Sequence, residues 1–334
     1  MEKYKITHQE PYAREPVIRR MKDGSLVCLI LTGGPKEPAN DNVVKIMRSE
    51  DDGKTWSEPE ILFQHGERAC WATEIFTECE KPFVIIQTYY APSTYREIQA
   101  HISYCSDDGK SWSEPVSLPS NVQSCSVRQG ITMSNGEWLF PVYWQECRTG
   151  FDWTVPKNGK TGDWLFTSGA IISSDNGKNF YGFGRIALDN AHMWEPNAVE
   201  LEDGHIIMYL RYSGADAGYL YVSESFDYGR TWSDPEKTDI PNAETKVTLV
   251  KINGTVVMIN NFINKAGWEN RTHLAIATSK DGKNFTKIID VEKEEEQWLY
   301  PHAYVDYKQK IMYVAYENGK THYLKKYAFE ELGV

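Results

Sequence analysis

One eight-residue stretch, Ser49-Glu-Asp51-Asp-Gly53-Lys-Thr55-Trp56, recurs along the chain as the pattern Ser/Thr-x-Asp-x-Gly-x-Thr-Trp. Three further good copies end in Trp112, Phe180 and Trp232, and a degraded copy with its Asp one place late ends in Phe285. The closing aromatic residues are therefore 52 to 68 residues apart. Four good copies of one pattern do not arise by chance, so the chain is built from repeats.

The repeated pattern has the chemistry of a tight turn between two strands. An Asp side chain can accept backbone N–H bonds inside a turn, and Gly adopts backbone conformations that other residues avoid. The aromatic residue then anchors the outgoing strand in the core. Such a turn joins two strands and usually lies far from a functional centre.

A second signal separates pairs of apolar runs, namely Asp-Gly or Asn-Gly dipeptides at positions 23–24, 135–136, 203–204 and 253–254. Such dipeptides between hydrophobic runs predict β-hairpins. Each repeat therefore predicts four antiparallel strands in roughly 55 residues, which is one blade of a β-propeller. No segment shows convincing helical periodicity with caps, so the expected fold class is all-β.

Six blades account for the 334 residues, and we predict a single six-bladed β-propeller domain over residues 1–334. Five blades carry the repeat. The sixth is predicted from Tyr300 to about Tyr327, with the N-terminal segment closing the ring. The longest irregular stretch, about Thr149 to Asp163, is expected to form a surface loop over the third blade.

Charge and composition exclude several classes of protein. The hydrophobic content of 41% and charged content of 25% are typical of a globular protein. A net charge of −11 argues against nucleic acid as a partner, because phosphate binding needs clustered Lys and Arg. Eleven Trp and 20 Tyr favour strands and sugar-binding surfaces.

The six cysteines form no CxxC pair, so we expect no zinc site and no other metal or cofactor. No run of 18 apolar residues is present, which argues against a membrane-spanning helix. The first residues do not resemble a signal peptide, so a cytoplasmic location is expected, with a secreted protein that has lost its signal as the alternative. The oligomeric state does not follow from the sequence.

The residues that begin each predicted first strand are more polar than the strands that follow. From blade 1 to blade 6 they are Arg14-Glu15-Pro16, Thr73-Glu74, Arg128-Gln129, Trp194-Glu195-Pro196, Thr245-Lys246 and Tyr300-Pro301-His302. First strands line the channel of a propeller, and a channel with only a structural role would be filled by apolar side chains, because buried charges need partners. Converging Arg, Glu, Tyr and His side chains therefore predict a functional centre.

These residues resemble the sialidase (neuraminidase) superfamily over nearly the whole chain, and the repeat resembles its Asp-box (BNR) turn. Arg14-Glu15-Pro16 is similar to the family's Arg-Ile-Pro motif, with Glu15 in place of Ile. The segment from Glu195 to Arg211 is similar to the family motif of the fourth blade. Tyr300, followed by Tyr316-Glu317, resembles the family's layout around its nucleophile. The Pro301-His302 dipeptide departs from the Ser that often follows this Tyr.

The resemblance implies a carboxylate-binding triad formed by Arg14, Arg211 and Arg271. It further implies Tyr300 as the nucleophile, Glu195 as its general base, and Asp41, in the loop before the first Asp-box, as the acid/base residue. Four more residues are expected to contact the substrate: Glu74, Arg128, Trp194 and His302. Trp194 would act as a wall of the site or as a stacking platform for a sugar.

The expected activity is that of an exo-acting retaining glycoside hydrolase that releases a terminal sialic acid or related acidic sugar from glycans. Two alternatives stay open. One is a polysaccharide lyase in which Tyr300 and His302 carry out β-elimination beside an arginine-neutralised uronate. The other is a glycan-binding propeller without catalysis.

Overall fold

The computed structural model describes residues 2–7, 10–93, 97–106, 109–147, 164–293 and 296–334. Within these residues, the strands form six antiparallel sheets arranged as a ring, so the predicted all-β six-bladed propeller is confirmed. The segment predicted as a surface loop, 149–163, lies outside the described residues. Over the described ranges, no helix is long and apolar enough to cross a membrane.

In each blade the strands follow one another from the channel outward. Blade 1 contains β2 (Arg14–Arg20), β3 (Leu26–Thr32), β4 (Val43–Ser49) and β5 (Glu60–Phe63). Blade 2 contains β6 (Ala69–Phe76), β7 (Phe83–Tyr89), β8 (Ile98–Tyr104) and β9 (Val116–Ser117). In blade 3 the inner strand is split in two, and the strands are β10 (Ser126–Val127), β11 (Ile131–Thr132), β12 (Trp138–Cys147), β13 (Trp164–Ser173) and β14 (Tyr181–Ile186).

The remaining blades repeat this order. Blade 4 contains β15 (His192–Glu202), β16 (His205–Ser213), β17 (Tyr219–Ser225) and β18 (Glu236–Pro241). Blade 5 contains β19 (Thr248–Ile252), β20 (Thr255–Asn261), β21 (Leu274–Ser279) and β22 (Thr286–Glu292). Blade 6 contains β23 (Leu299–Asp306), β24 (Ile311–Glu317), β25 (His322–Ala328) and β1 (Lys3–Lys5). Short 3-10 helices are present at Ala91–Ser93, Trp268–Asn270 and Phe329–Leu332.

The N-terminal strand closes the ring, as predicted. β1 pairs antiparallel with β25, in the register Lys3 to Lys325. Ile6 continues from β1 into the apolar cluster between blades 6 and 1, where it is buried. The first and last blades are thereby joined through a strand from the opposite end of the chain.

Apolar side chains fill the space between neighbouring blades. Every residue of β3 is buried, because both faces of this strand pack against other strands. Between blades 2 and 3 the packing is aromatic, with Phe76, Phe83 and Phe140 at ring-centroid distances of 5.1 to 6.1 Å. Strands buried on both faces read as continuous apolar runs, which is why the sequence showed runs here instead of strict alternation.

The Asp-box turns connect the third and fourth strands of the blades, with the hydrogen bonds that the pattern predicted. In blade 1, the Asp51 carboxylate accepts bonds from Thr55 N at 2.9 Å and Thr55 Oγ1 at 2.7 Å. Ser49 Oγ donates to Asp51 and accepts from Gly53 N, both at 2.8 Å. The second copy includes residues 107 and 108, which lie outside the described residues.

The fifth Asp-box was aligned wrongly from the sequence. Ser279 Oγ donates to Asp281 at 2.7 Å, and Asn284 N donates to the same carboxylate at 2.8 Å. Asp281 therefore occupies the position of the Asp in the pattern. Gly282 follows it directly, so the residue that separates the Asp from the Gly in the other copies is absent from this turn. In the first box that residue is Asp52, with a left-handed φ of 60°. The fifth turn is one residue shorter and keeps its Asp contacts.

Candidate active site

Three of the six first strands begin with the same unusual backbone feature. In the dipeptides Glu15-Pro16, Glu195-Pro196 and Tyr300-Pro301, the residue before the Pro has a φ of 44°, 45° and 47°, respectively. Each dipeptide coincides with a shift in strand register, as in a β-bulge. A left-handed conformation costs a residue other than Gly roughly 1–3 kcal/mol. Bulges re-aim side chains, and here they direct two carboxylates and a phenol to the start of the channel strands.

Tyr300 is the buried phenol of this group and is only 8% exposed. Burial, followed by the carboxylates of Glu195 and Glu37, raises the pKa of Tyr300 well above its usual value, against the opposing effect of Arg211 and Arg271. The phenol is therefore neutral near pH 7, and it would need a base to become a nucleophile.

Glu195 lies beside Tyr300 and is ionised. Arg211 Nη1 donates to Glu195 Oε2 at 2.9 Å. Burial acts to raise the pKa of Glu195, but the guanidinium groups of Arg211 and Arg128 outweigh it and hold the pKa below its usual value. Glu195 is thus a carboxylate that can accept a proton from a neighbour.

The Tyr300 phenol acts electrostatically on the guanidinium groups of Arg14, Arg211 and Arg271. All three side chains are buried. Arg14 Nη1 lies 3.4 Å from Glu317 Oε1. Three N–H donors have no acceptor among the described residues, namely Nε of Arg211 and both Nε and Nη1 of Arg271. Buried donors normally have partners, so these N–H groups are available to an anion.

The loop between β3 and β4 places a carboxyl group at the site, but it is Glu37 and not Asp41. Asp41 is exposed, whereas the Glu37 carboxylate is among the leading charges that act on Tyr300. Tyr12 Oη donates to Glu37 Oε2 at 2.9 Å. Desolvation and the Glu15 carboxylate raise the pKa of Glu37 to about 7, although Arg14 and the Tyr12 bond oppose this.

Glu15 pairs with Arg128 across the channel. Arg128 Nη1 lies 3.1 Å from Glu15 Oε2, and both side chains are almost fully buried. Burial and the charge of Arg128 lower the pKa of Lys246 to about 8, while Glu15 and Glu195 act in the opposite direction. The charges of Glu15, Arg128 and Lys246 therefore interact in one buried cluster. Arg128, predicted to contact substrate, is held in this ion pair.

Glu74 and His302 both contact Arg19. Arg19 Nη2 is 2.8 Å from Glu74 Oε1, and Arg19 Nη1 is 3.2 Å from His302 Nε2. Both Glu74 and His302 have zero exposure in the free protein, and their contact with substrate stays a prediction. Burial and the charge of Arg19 hold the pKa of His302 well below its usual value, so the ring is neutral. Arg19 also lines a cavity of about 780 Å³ at the opposite mouth of the channel.

Trp194 is partly exposed next to Arg211, and its role as a wall or a stacking platform stays a prediction. Its ring stacks on Phe166 at a centroid distance of 4.7 Å, and its Nε1 donates to Ser213 Oγ at 3.1 Å. Arg211 Cζ lies 4.0 Å from the ring centroid of Trp194. The ring therefore also supports one arginine of the triad.

Sequence reasoning missed two groups at this site. Glu37 was passed over because the family pattern calls for an Asp, although both acids stand in the same short loop. Trp268 was passed over because its contacts with Arg14 and Arg271 join different blades. The recurrence of an X-Pro dipeptide at three strand starts was a visible signal for the bulges.

Comparison with known proteins identifies the family of the chain. The sequence matches the BNR repeat-like domain family over residues 24–312. It is 24% identical to a sialidase of Paraclostridium sordellii over 253 residues, which is 68% of this chain and 58% of that protein. It is also 24% identical to a sialidase of Bacteroides fragilis over 165 residues, 46% of this chain and 26% of that protein. The chain thus matches less than two thirds of the length of either relative.

Solved structures share the fold at low sequence identity. The Hadza microbial sialidase Hz136 has a TM-score of 0.76 at 17% identity, covering 98% of this chain and 68% of that one. A Dyadobacter fermentans protein of unknown function has a TM-score of 0.73 at 16% identity, covering 98% and 97% of the two chains. Because the family match extends over most of the chain, this protein belongs to the BNR repeat-like domain family and is a sialidase-like propeller.

Proposed function

We propose that the protein is an exo-acting retaining glycoside hydrolase that releases a terminal sialic acid or a related acidic sugar from glycans. The observation that carries the proposal is a neutral phenol, Tyr300, beside an ionised carboxylate, Glu195, and arginine N–H groups without acceptors. The names of the sialidase relatives support the same class of reaction.

Substrate binding would begin with the sugar carboxylate. Arg14, Arg211 and Arg271 supply charge-assisted donors, and donors left unused in the free protein suit a planar anion. An anionic nucleophile would be repelled by a carboxylate on the reacting carbon. A neutral phenol avoids this repulsion, and sialidases are the Tyr exception among retaining glycosidases.

In the first step, the oxygen of Tyr300 attacks the anomeric carbon while Glu195 accepts the phenolic proton. The glycosidic C–O bond breaks, and an acid protonates the departing oxygen. We assign that acid to Glu37, in place of Asp41, because a carboxyl with a pKa of about 7 is largely protonated at mildly acidic pH. In the second step, Glu37 takes a proton from water and the water oxygen attacks the same carbon. The bond between that carbon and the Tyr300 oxygen breaks, and Glu195 returns its proton to the departing phenolate.

The lyase alternative is weaker than the hydrolase. It requires His302 to act beside Tyr300, but the His302 ring is fully buried against Arg19. No observation on the described residues favours a uronate over another acidic sugar. The remaining alternative, binding without catalysis, is distinguished by experiment.

The decisive experiment compares wild type with Tyr300→Phe on a 4-methylumbelliferyl sialoside and on other acidic-sugar glycosides. We expect release of the fluorophore by wild type and a loss of turnover with retained binding in Tyr300→Phe. Tyr304→Phe, on the same strand, is the matched control and should keep wild-type kinetics. An unchanged rate in Tyr300→Phe would refute the mechanism. Binding without turnover by wild type would favour a lectin, and an ultraviolet-absorbing unsaturated product would favour a lyase.

A further inference from the structure

A single turn of 3-10 helix, Trp268–Asn270, sets Trp268 against Arg271. Residues three apart lie on the same side of a 3-10 helix, so these two side chains are stacked by the local backbone. Arg271 N donates to Trp268 O at 3.3 Å, and Arg271 Cζ lies 4.7 Å from the ring centroid. The preceding Gly267 has a φ of 124°, and a Cβ there would lie 2.8 Å from the Glu269 carboxylate.

The same indole ring also contacts an arginine from another blade. Arg14 Cζ, on blade 1, lies 4.8 Å from the ring centroid of Trp268 and 4.5 Å from that of Tyr12. Trp268 is 40% exposed, whereas the two arginines are 7% exposed or less. The indole is therefore an outer cover that bridges two members of the arginine triad.

The kind of contact matters for anion binding. A carboxylate partner would occupy the N–H groups of a guanidinium, whereas an aromatic face attracts the cation and accepts none of these in-plane bonds. Arg271 donates through Nη2 to the Glu244 carbonyl, and its Nε and Nη1 have no acceptor within the described ranges. Stacking thus holds the side chain in place and leaves these donors for a ligand.

We propose that Trp268 is a positioning residue of the anion site, which holds Arg14 and Arg271 in a ligand-ready geometry without using their N–H groups. The inference rests on the proposed function, because the ligand it serves is the sugar carboxylate. Removing the ring frees two guanidinium groups, so binding of the carboxylate form of a ligand should weaken on the order of tenfold. Binding of the uncharged methyl ester should change little.

The first experiment measures the Kd of 2-deoxy-2,3-didehydro-N-acetylneuraminic acid and of its methyl ester by calorimetry. The variants are Trp268→Leu, which keeps an apolar side chain, and Trp268→Phe, which keeps an aromatic face. We expect Trp268→Leu to lose affinity for the acid only, and Trp268→Phe to restore much of it. Phe226→Ala removes an exposed ring from the blade 4 Asp-box turn and should be neutral. Equal losses for acid and ester, or no loss for either, would overturn the inference.

The second measurement requires no sugar. In a crystal structure of Trp268→Leu, the Arg14 and Arg271 side chains should leave their present positions or lose density. Unchanged positions of both would overturn the inference even if no ligand had bound. If wild type binds neither acid nor ester while both arginines move in the variant, the proposed function fails and the positioning role of Trp268 stands.

Discussion

Glu37 shows how one loop residue can determine the chemistry of the site. It stands four residues before Asp41 in the same segment, and its charge is among the leading influences on the pKa of Tyr300. Its bond from Tyr12 and the Arg14 charge favour the ionised form, while desolvation and Glu15 favour the protonated form more strongly. The balance gives a carboxyl group that can release and regain a proton near neutral pH.

The pH dependence of kcat/KM should follow the protonation of Glu37. Below about pH 7 Glu37 carries the proton that the leaving group needs, so kcat/KM should fall as the pH rises through about 7. Glu37→Gln should remove this fall in kcat/KM, which is the alkaline limb of the pH profile. It should also lower kcat by roughly 10²–10⁴-fold on a sialoside with a poor leaving group. The loss should be smaller with 4-methylumbelliferone as the leaving group. Steady-state pH profiles on both substrates provide the measurement.

The Glu317 carboxyl group could also cause a fall in kcat/KM near pH 7, so its contribution must be separated from that of Glu37. Burial raises the pKa of Glu317 to about 7 as well, although its neighbour Arg14 opposes the shift. Glu317→Gln is therefore the matched control, and it should retain the alkaline limb. Asp41→Asn should also retain it. Glu37 is not the acid that protonates the leaving group if Glu37→Gln keeps the alkaline fall in kcat/KM, or if Glu317→Gln loses it.

The second residue-scale prediction concerns Glu15, which stands where the family motif has Ile. Glu15→Ile would leave Arg128 buried without its carboxylate, and breaking a buried pair in this way costs about 3–5 kcal/mol. The double variant Glu15→Ile with Arg128→Met should recover most of that loss, because neither charge remains. Urea unfolding of the two single variants and the double variant tests this. Additive losses in the double variant would contradict the compensating pair.

At the scale of single elements, the Asp-box is a self-contained turn. In the box after β17, the Asp227 carboxylate accepts bonds from Ser225 Oγ, Thr231 N and Thr231 Oγ1 at 2.7 to 2.8 Å. All these partners lie within four residues of Asp227. The turn is therefore encoded locally, which explains why the repeat could be recognised in the sequence.

Asp227→Ala should consequently affect stability and leave the site unchanged. Losing several hydrogen bonds to one carboxylate should lower the free energy of unfolding by about 2 kcal/mol. The catalytic rate per folded molecule should stay at the wild-type value. Asp239→Ala, an exposed Asp on β18 of the same blade, is the control and should cost little. Urea unfolding with parallel kinetics measures both, and a lost rate in folded Asp227→Ala would contradict the separation.

At the scale of the whole molecule, the ring depends on β1. This strand pairs with β25, Ile6 is buried beyond it, and Thr7 Oγ1 lies 2.9 Å from His322 Nδ1. Deleting residues 1–7 should therefore lower the free energy of unfolding by roughly 3–5 kcal/mol, from lost burial of Ile6 and lost hydrogen bonds. Deleting residues 1–2, which precede the strand, is the control. Equal Tm values for the two truncations would show that β1 does not secure the ring.

The predicted site residues come from different blades of the ring. The family resemblance implied that Arg14, Arg211 and Arg271 form a triad, and in the structure all three guanidinium groups interact electrostatically with the Tyr300 phenol. Their catalytic and binding roles stay predictions until the variants are measured. Glu74 was also predicted to contact substrate; it lies next to a bulge in β6 and pairs with Arg19.

The all-β class and the number of blades follow from the sequence, because Asp-box and hairpin turns depend on contacts between residues close along the chain. The closing strand was also predicted, although its pairing joins opposite ends of the chain. Tertiary structure alone decided that Glu37 and not Asp41 reaches the site, that His302 is buried against Arg19, and that Trp268 covers two arginines. These outcomes depend on side chains from different blades, and their distances are set by ring closure and by the bulged strand starts.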